Sequence, residues 1–314
     1  MKVVSFETIK ELNIPPVQCI EWVKAAFLMQ YECTLPAKIS MHMDNNIFFN
    51  TMPCIIPSIN KIGTKLVSRY PQRIPSLDSE LLLYEASTGN LLALMDAEWI
   101  TAMRTGAVAA ISIQTFQKSM PNTYAFAGLG NTARATLLCL LDIVGQQPIT
   151  VKLLKYKDQA ESFQKRFENY TNINFITVST NKDFVKGSDV IVSCITASDN
   201  LIGQDEWYEE GVLVVPVHTR GFQNCDLFFD RIFVDDIKHV EGFKNFAKFK
   251  YLDEFTNILK GSTFGRTNDK ERILVYNIGI SIHDIYFASQ IYETIQHSKI
   301  PDVIIKQKLE KFWI

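Results

Sequence analysis

Tyr124-Ala125-Phe126-Ala127-Gly128-Leu129-Gly130-Asn131-Thr132-Ala133 is the stretch whose reading decides the fold. A short apolar run leads into GxGxxA, and an apolar helical run follows over 134–143. In a nucleotide-binding turn the first glycine permits the tight bend and the second lets the backbone approach a pyrophosphate. The small third residue lets helix and strand pack closely, and the helix N-terminus stabilises the phosphate charge. A glycine-bearing turn that binds nothing carries the same six residues, so context decides. Here a strand precedes, a helix follows, and a second strand over 149–154 ends about 20 residues on, as the fingerprint requires. That strand ends Leu153-Leu154-Lys155-Tyr156-Lys157, with no Asp or Glu to hold a ribose 2′-hydroxyl. Lys155 and Lys157 suit a 2′-phosphate, although two surface lysines are also an ordinary finding; the expected cofactor is NADP or NAD, with the lysines favouring NADP.

Outward from this turn, a polar helix is expected over 158–169 and further strands at 174–178, 190–194, 212–217 and 232–234. Strands alternating with helices make a parallel α/β sheet. Upstream the pattern changes near residue 120. Residues 38–96 read as short strands broken by Pro and Gly, with Ser87-Thr88-Gly89-Asn90 as a hairpin turn, so antiparallel sheet is expected there. From Glu98 the period becomes helical, with Ile100, Met103, Ala107, Ala110 and Ile111 on one face. A helix is expected at 20–29, and the last forty residues again read as helical.

The 314 residues are 47% hydrophobic, enough for two domains with sizeable cores. Lys+Arg total 32 against 34 Asp+Glu, a net charge of -2, so no basic excess points to nucleic acid. No apolar run reaches the roughly 18 residues that cross a bilayer, and no membrane partner is expected. Glu7 and Lys10 come too early for a signal-peptide core. Six dispersed cysteines with no CxxC fit neither a zinc cluster nor a disulfide framework, so no metal site is expected. They read as reduced cytoplasmic thiols, with Cys139 and Cys194 inside apolar runs as small hydrophobes.

Arg104 stands among Ala, Thr and Gly in Ile100-Thr101-Ala102-Met103-Arg104-Thr105-Gly106-Ala107. A partly buried guanidinium needs an anion. That anion is a structural carboxylate such as Asp96, or a substrate carboxylate or cofactor phosphate captured by the planar fork. Lys38 and Lys65 are further cations that suit the same anion.

These residues carry a resemblance. Met52-Pro53, the GTKLVSRYP segment around Lys65, TGNLLALMDAEWITAMRTGAVAAI, GLGNTA, SDVIVSCITA and VYNIGISIHDIYFA, with Gly279 and Asp284, resemble in order the ornithine cyclodeaminase/mu-crystallin family. The resemblance implies an N-terminal α/β substrate and dimerisation domain over 1–118, completed by C-terminal helices at 280–314, and a Rossmann dinucleotide-binding domain over 119–279. It implies a homodimer. Lys65 and Arg104 fall on the family residues that bind or polarise the substrate carboxylate and imine, and Lys38 on its first substrate arginine, keeping charge without the fork. Thr105, Gly128, Gly130, Asn131, Thr132, Lys155, Thr196 and Val217 make up the expected cofactor-binding set.

Two positions depart from the cyclodeaminases. Asn50 replaces their acidic residue before the MP, and Thr219 falls at their catalytic Asp, where a hydroxyl is a poor base. His218-Thr219-Arg220 lies at the carboxyl end of an expected strand, where open α/β sheets place their sites. His218 reads as the proton donor to a C=N bond or as a loop histidine, and Arg220 as the holder of a second substrate anion or as a surface residue. The expectation is an NAD(P)H-dependent oxidoreductase acting on a small amino-acid-like imine or an amino acid/keto acid pair. A redox-neutral ornithine cyclodeaminase is the alternative enzyme, and a non-catalytic dinucleotide or small-acid binder the alternative of another class.

Overall fold

The computed structural model describes residues 1–195, 198, 200–218, 221–298 and 300–304. The chain forms two compact units, one of Met1–Asn13, Tyr31–Ile100 and the chain from Ser281, the other of Ile14–Gln30 and Thr101–Ile280.

The first unit is a six-stranded sheet of β1 (Lys2–Val4), β2 (Ile39–Met43), β3 (Ile47–Ile56), β4 (Lys61–Arg69), β5 (Leu77–Glu85) and β6 (Leu91–Asp96). The order is β1-β6-β5-β4-β3-β2, antiparallel apart from the β1–β6 pair. Gly89 takes φ +72° in the β5–β6 turn, a conformation that costs glycine no steric penalty. The helix Ser281–Ile295 lies on this sheet, burying Ile282, Ile285 and Ile291. Each fully buried side chain of this kind contributes roughly 1.5–3 kcal/mol. Gly63 makes the close approach possible, since a Cβ there would sit 2.6 Å from Ile285 Cδ1.

Two expectations are corrected in this unit. The helix from Ser281 stops at Ile295, and 296–298 and 300–304 are not helical, while 299 and 305–314 lie outside the described residues. Pro301 has no N–H to extend a helix and disfavours helical backbone before it. Lys2 instead ties this segment down, donating from Nζ to Ile300 O at 2.7 Å and pairing with Asp302. The first 35 residues hold more than one helix: β1, a helix Phe6–Glu11 capped by Ser5 Oγ, and a helix Pro16–Met29.

The second unit is an eight-stranded parallel sheet of β7 (Thr123–Ala127), β8 (Ile149–Leu154), β9 (Ile173–Val178), β10 (Val190–Ser193), β11 (Leu213–Pro216), β12 (Arg231–Val234), β13 (Leu252–Glu254) and β14 (Ile273–Tyr276). The order is β13-β12-β14-β11-β10-β7-β8-β9. Strands β10, β11, β12 and β14 are buried along their whole length, as strands covered on both faces must be. The strand order reverses between β7 and β10, so the crevice at their carboxyl ends is the switch point where such sheets take ligands.

The expected helix at 158–169 spans only Gln159–Lys165. The N–H groups of Arg166 and Phe167 turn to carbonyls three residues back, and Phe167 packs against Phe163 with ring centroids 5.2 Å apart. The unit boundary also differs from residue 118, because most of the helix Glu98–Phe116 belongs with the parallel sheet. Gly106 is the reason: a Cβ there would stand 2.5 Å from the Ala135 backbone, so that helix lies tightly on the helix Asn131–Val144. The segment 14–30 joins the same unit, with Phe27 edge-on to Phe255 at 4.9 Å. All six cysteines are free thiols; Cys139 is fully buried and its thiol pushed well up by that burial, while Cys194 is only partly buried by surface exposure.

Candidate functional site

In the first unit the candidates share one sheet face. Met52 is paired with both Lys65 and the row that continues to Leu81, and residues directly opposite in a sheet point the same way. Strand alternation places Asn50, Met52 and Cys54 of β3 on the face of Gly63 and Lys65. Asn50 is the diagonal neighbour of Lys65, about 7–8 Å away at Cα level. Its Oδ1 is buried with no hydrogen-bond partner among the described residues. Lys38 is exposed and lies one step before the Ile39–Thr51 pair, in the row of Met52 and Lys65 and two strands, roughly 10 Å, from the latter.

Lys65 is fully buried, flanked along its row by buried Met52 and Leu81. A desolvated ammonium is tolerable only beside an anion. Asp284, itself fully buried, supplies it, with Lys65 Nζ 2.7 Å from Asp284 Oδ1. The helix that carries Asp284 is pinned one turn earlier, where Ser281 Oγ donates to Pro53 O at 2.7 Å. The alternation of β4 gave no signal for this pair, because Lys65 shares its face with Lys61, Gly63 and Val67 while Ile62 and Leu66 lie on the other.

In the second unit the glycine turn has the form its job requires. Gly128 takes φ +74°, and a Cβ there would meet the Cys194 carbonyl carbon at 2.5 Å. Gly130 is the uncapped first flank of the helix Asn131–Val144, and a Cβ added to it meets nothing within 4 Å. An open helix N-terminus without a side-chain cap fits a pyrophosphate. Asn131 is exposed and holds Arg134 at 3.3 Å, and Thr132 follows in the first turn. Lys155 and Lys157 are exposed past the end of β8, with Lys157 Nζ over the Tyr156 ring at 5.3 Å. Thr105 donates to Thr101 O at 2.6 Å within its helix. Val217 is half-buried and donates to Ser193 O at 3.0 Å.

Arg104 is 6% exposed. Its guanidinium lies against Gly279, where a Cβ would stand 2.7 Å from Nη1. Gly279, at φ +93°, donates its N–H to the buried Asp235 carboxylate. Gln30 Nε2 in turn donates to Asp235 O at 2.9 Å. Asp235 and Gln30 were not singled out from the sequence, because their partners lie over forty positions away. His218, half-buried, follows β11 by two residues, and its Nε2 is 2.7 Å from Ser193 Oγ at the end of β10. Asp226 is 1% exposed, accepts from Tyr276 Oη at 2.8 Å and has its carboxyl pushed up to about 6 by burial, against the pull of that hydrogen bond. Thr196, Thr219 and Arg220 lie outside the described residues.

Residues 2–299 match the family model described as the ornithine cyclodeaminase/mu-crystallin family. A curated relative, N-((2S)-2-amino-2-carboxyethyl)-L-glutamate dehydrogenase of Staphylococcus aureus, is 24% identical over 78% of this chain and 76% of its own length. The solved Delta(1)-pyrroline-2-carboxylate reductase of Thermococcus litoralis, in complex with NADH and L-proline, superposes with a TM-score of 0.85 at 23% identity, covering 97% of this chain and 100% of that one. An archaeal alanine dehydrogenase dimer with bound NAD gives a TM-score of 0.84 at 20% identity, covering 97% and 99%. At these identities the structural likenesses show the fold.

Proposed function

The chain belongs to the ornithine cyclodeaminase/mu-crystallin family, and from that premise we propose that it is an NAD(P)H-dependent reductase of a small amino-acid-like imine. The observation that carries this reading is the buried Lys65–Asp284 pair on the sheet face of Asn50 and Lys38. When bound, the reduced nicotinamide supplies hydride. Lys65, kept charged by Asp284, polarises the C=N bond and provides the proton that its nitrogen needs. Arg104, backed by Gly279, holds the substrate carboxylate in its fork, and Lys38 adds a second positive charge. The uncapped turn at Gly128 and Gly130 takes the pyrophosphate, assisted by Asn131 and Thr132, with Thr105 and Val217 as further cofactor contacts.

Cyclodeamination is disfavoured by two observations. Asn50 is neutral, so it offers an amino group an acceptor without the charge that holds a distal ammonium. Asp226, the carboxylate nearest in sequence to Thr219, is buried against Tyr276 and is not presented as a base. The exposed Lys155 and Lys157 support NADP over NAD.

The reading is tested by following NADPH and NADH oxidation with cyclic ketimines, with L-ornithine plus NAD in parallel. Stoichiometric hydride transfer is expected, with NADPH preferred about tenfold, the worth of roughly 1.4 kcal/mol. Ammonia and proline from ornithine without net cofactor use would overturn it.

The proposal extends to a cytoplasmic homodimer, consistent with six free thiols. Strand β2 is an edge, and Ile39, Met41 and Met43 on it are 61%, 53% and 55% exposed. An unpaired apolar edge strand is a template for pairing with another chain, and a second copy is the occupant proposed here; the similar archaeal alanine dehydrogenase is a dimer. Met41→Asp is expected to shift the chain from dimer to monomer by light scattering. A dimer that persists unchanged would place the interface elsewhere.

A further inference from the structure

Cys33 and Cys54 come from two segments that meet at one pairing. Thr34 and Ile55 exchange both backbone hydrogen bonds, each 3.1 Å, as an isolated antiparallel bridge near the end of β3. Cys33 and Cys54 each precede a member of that pair, so they share one side of the ribbon as diagonal neighbours. Their side chains meet there, and the Cys54 thiol donates to Cys33 Sγ. Both residues belong to the first compact unit.

The two thiols are not equivalent. Cys33 is half-buried, and the hydrogen bond from Cys54 holds it below the ordinary thiol range, against burial and the nearby Glu32 carboxylate. Cys54 is 1% exposed and is pushed up, first by giving that hydrogen bond, then by burial and by the Asp284 carboxylate. Burial pushes the thiols of Cys19, Cys139, Cys194 and Cys225 up as well. An accessible thiol with raised thiolate character beside a buried one is the arrangement of an attacking and a resolving cysteine. Disulfides that form in a reducing compartment are usually transient and redox-sensing.

The place of the pair gives it a reach into the candidate site. Cys54 stands opposite Gly63 in the β3–β4 pairing, on the face that carries Lys65. Pro53, beside it, accepts from Ser281 Oγ of the helix that bears Asp284. Diagonal neighbours lie about 7–8 Å apart at Cα, against roughly 4.4–6.8 Å across a relaxed disulfide, so closing the bond draws β3 and residues 31–34 together. A pull on β3 at this point is a pull on the Lys65–Asp284 geometry.

We propose that Cys33 and Cys54 form a redox site: hydrogen peroxide oxidises Cys33, Cys54 resolves it as a disulfide, and the disulfide slows the reaction at Lys65. In the first step Cys33 Sγ attacks the O–O bond and takes one oxygen as a sulfenic acid, while the other oxygen leaves as water. In the second, Cys54 Sγ attacks Cys33 Sγ; the S–S bond forms, the S–O bond breaks, and the hydroxyl leaves as water with the Cys54 proton. Two thiols and one peroxide thus give one disulfide and two waters, and a dithiol reductant reverses the state. The thiol chemistry stands on the first unit alone; the effect on turnover rests on the reductase reading above.

The test treats full-length reduced protein with hydrogen peroxide and reads it by intact mass and non-reducing peptide mapping. The expected product has lost two hydrogens and links the Cys33 and Cys54 peptides, and dithiothreitol restores the starting mass. Cys33→Ser, a small change at a half-buried position, should form no link. Cys54→Ala should leave Cys33 as a sulfenic acid that dimedone captures. On a cyclic ketimine the linked form should show kcat/KM lower by about tenfold, the scale of a misplaced catalytic group, with recovery on adding dithiothreitol. Cys33→Ser should keep its full rate through the same treatment. An unchanged mass, oxygen added at Cys33 without a link, or a link between other cysteines overturns the site. A Cys33–Cys54 link with unchanged kcat/KM overturns the control of turnover. Because the link is read without substrate, an enzyme inactive on every imine would refute the reductase reading and leave the thiol result standing.

Discussion

Lys65→Met is expected to lose turnover and about 3–5 kcal/mol of stability together, whereas Lys65→Met/Asp284→Leu should recover most of the stability and none of the turnover. The first half follows from burial. Both members of the pair are fully buried and 2.7 Å apart, so removing the ammonium leaves an ionised carboxylate in an apolar layer. The second half follows from what surrounds them. Met52 and Leu81 flank Lys65, and Ile285 follows Asp284, so two apolar side chains of similar volume replace the pair without stranding a charge. Turnover should fall by about 10²–10³-fold or more in either variant, the cost of losing one donor aimed at developing charge. Denaturant unfolding and NADPH oxidation on the same preparations separate the two effects. A double variant that regains activity would remove Lys65 from the chemistry and leave it a structural ion pair.

The same pair shows what was legible in the sequence and what was not. Lys65 stood out because of the segment around it, but the alternation of β4, which groups it with Lys61, Gly63 and Val67, hid its burial. Asp284 was visible only as a residue within a matching segment, since nothing local joins positions 219 apart. The glycine turn was readable in full because its physics is local: strand, bend, helix and the absence of side chains are all written within twenty residues. The helix at 98–116 was readable as an element, yet its allegiance was not. Gly106 looked like one small residue among several, and only the Ala135 backbone beside it explains why the helix joins the parallel sheet. The helical readings of 166–169 and of 296–298 and 300–304 failed for a related reason. Polar and apolar residues recurred at helical spacing, but a tightened turn at Arg166 and Pro301 beyond the last helix stopped the chain earlier. Ser193 was hidden inside a strand, where a serine ordinarily marks nothing.

Gly130→Ala is expected to fold as wild type and to lose dinucleotide affinity by about 10²-fold or more, while Gly128→Ala is expected to lose stability first. The contrast isolates function from fold within one turn. At Gly130 the backbone has φ -86°, which alanine adopts freely, and its Cβ would enter open space. Stability should stay within about 0.5 kcal/mol, as for substitutions that touch nothing. On the proposed reading that open space is where the pyrophosphate comes against the backbone, so a methyl group there would act on the ligand alone. At Gly128 the backbone has φ +74° and a Cβ would overlap the Cys194 carbonyl, a rigid strand-end group that cannot move aside cheaply. Backbone strain of about 1–3 kcal/mol and the displaced strand end add together there. Thermal unfolding with and without NADPH reads both variants, since a ligand that binds only the folded state raises the midpoint by mass action. The expected pattern is a normal midpoint without the NADPH-dependent rise for Gly130→Ala, and a depressed midpoint for Gly128→Ala. A Gly130→Ala protein that still shows the full NADPH-dependent rise would move the pyrophosphate away from this turn, and the assignment of the dinucleotide to the β7 switch point with it.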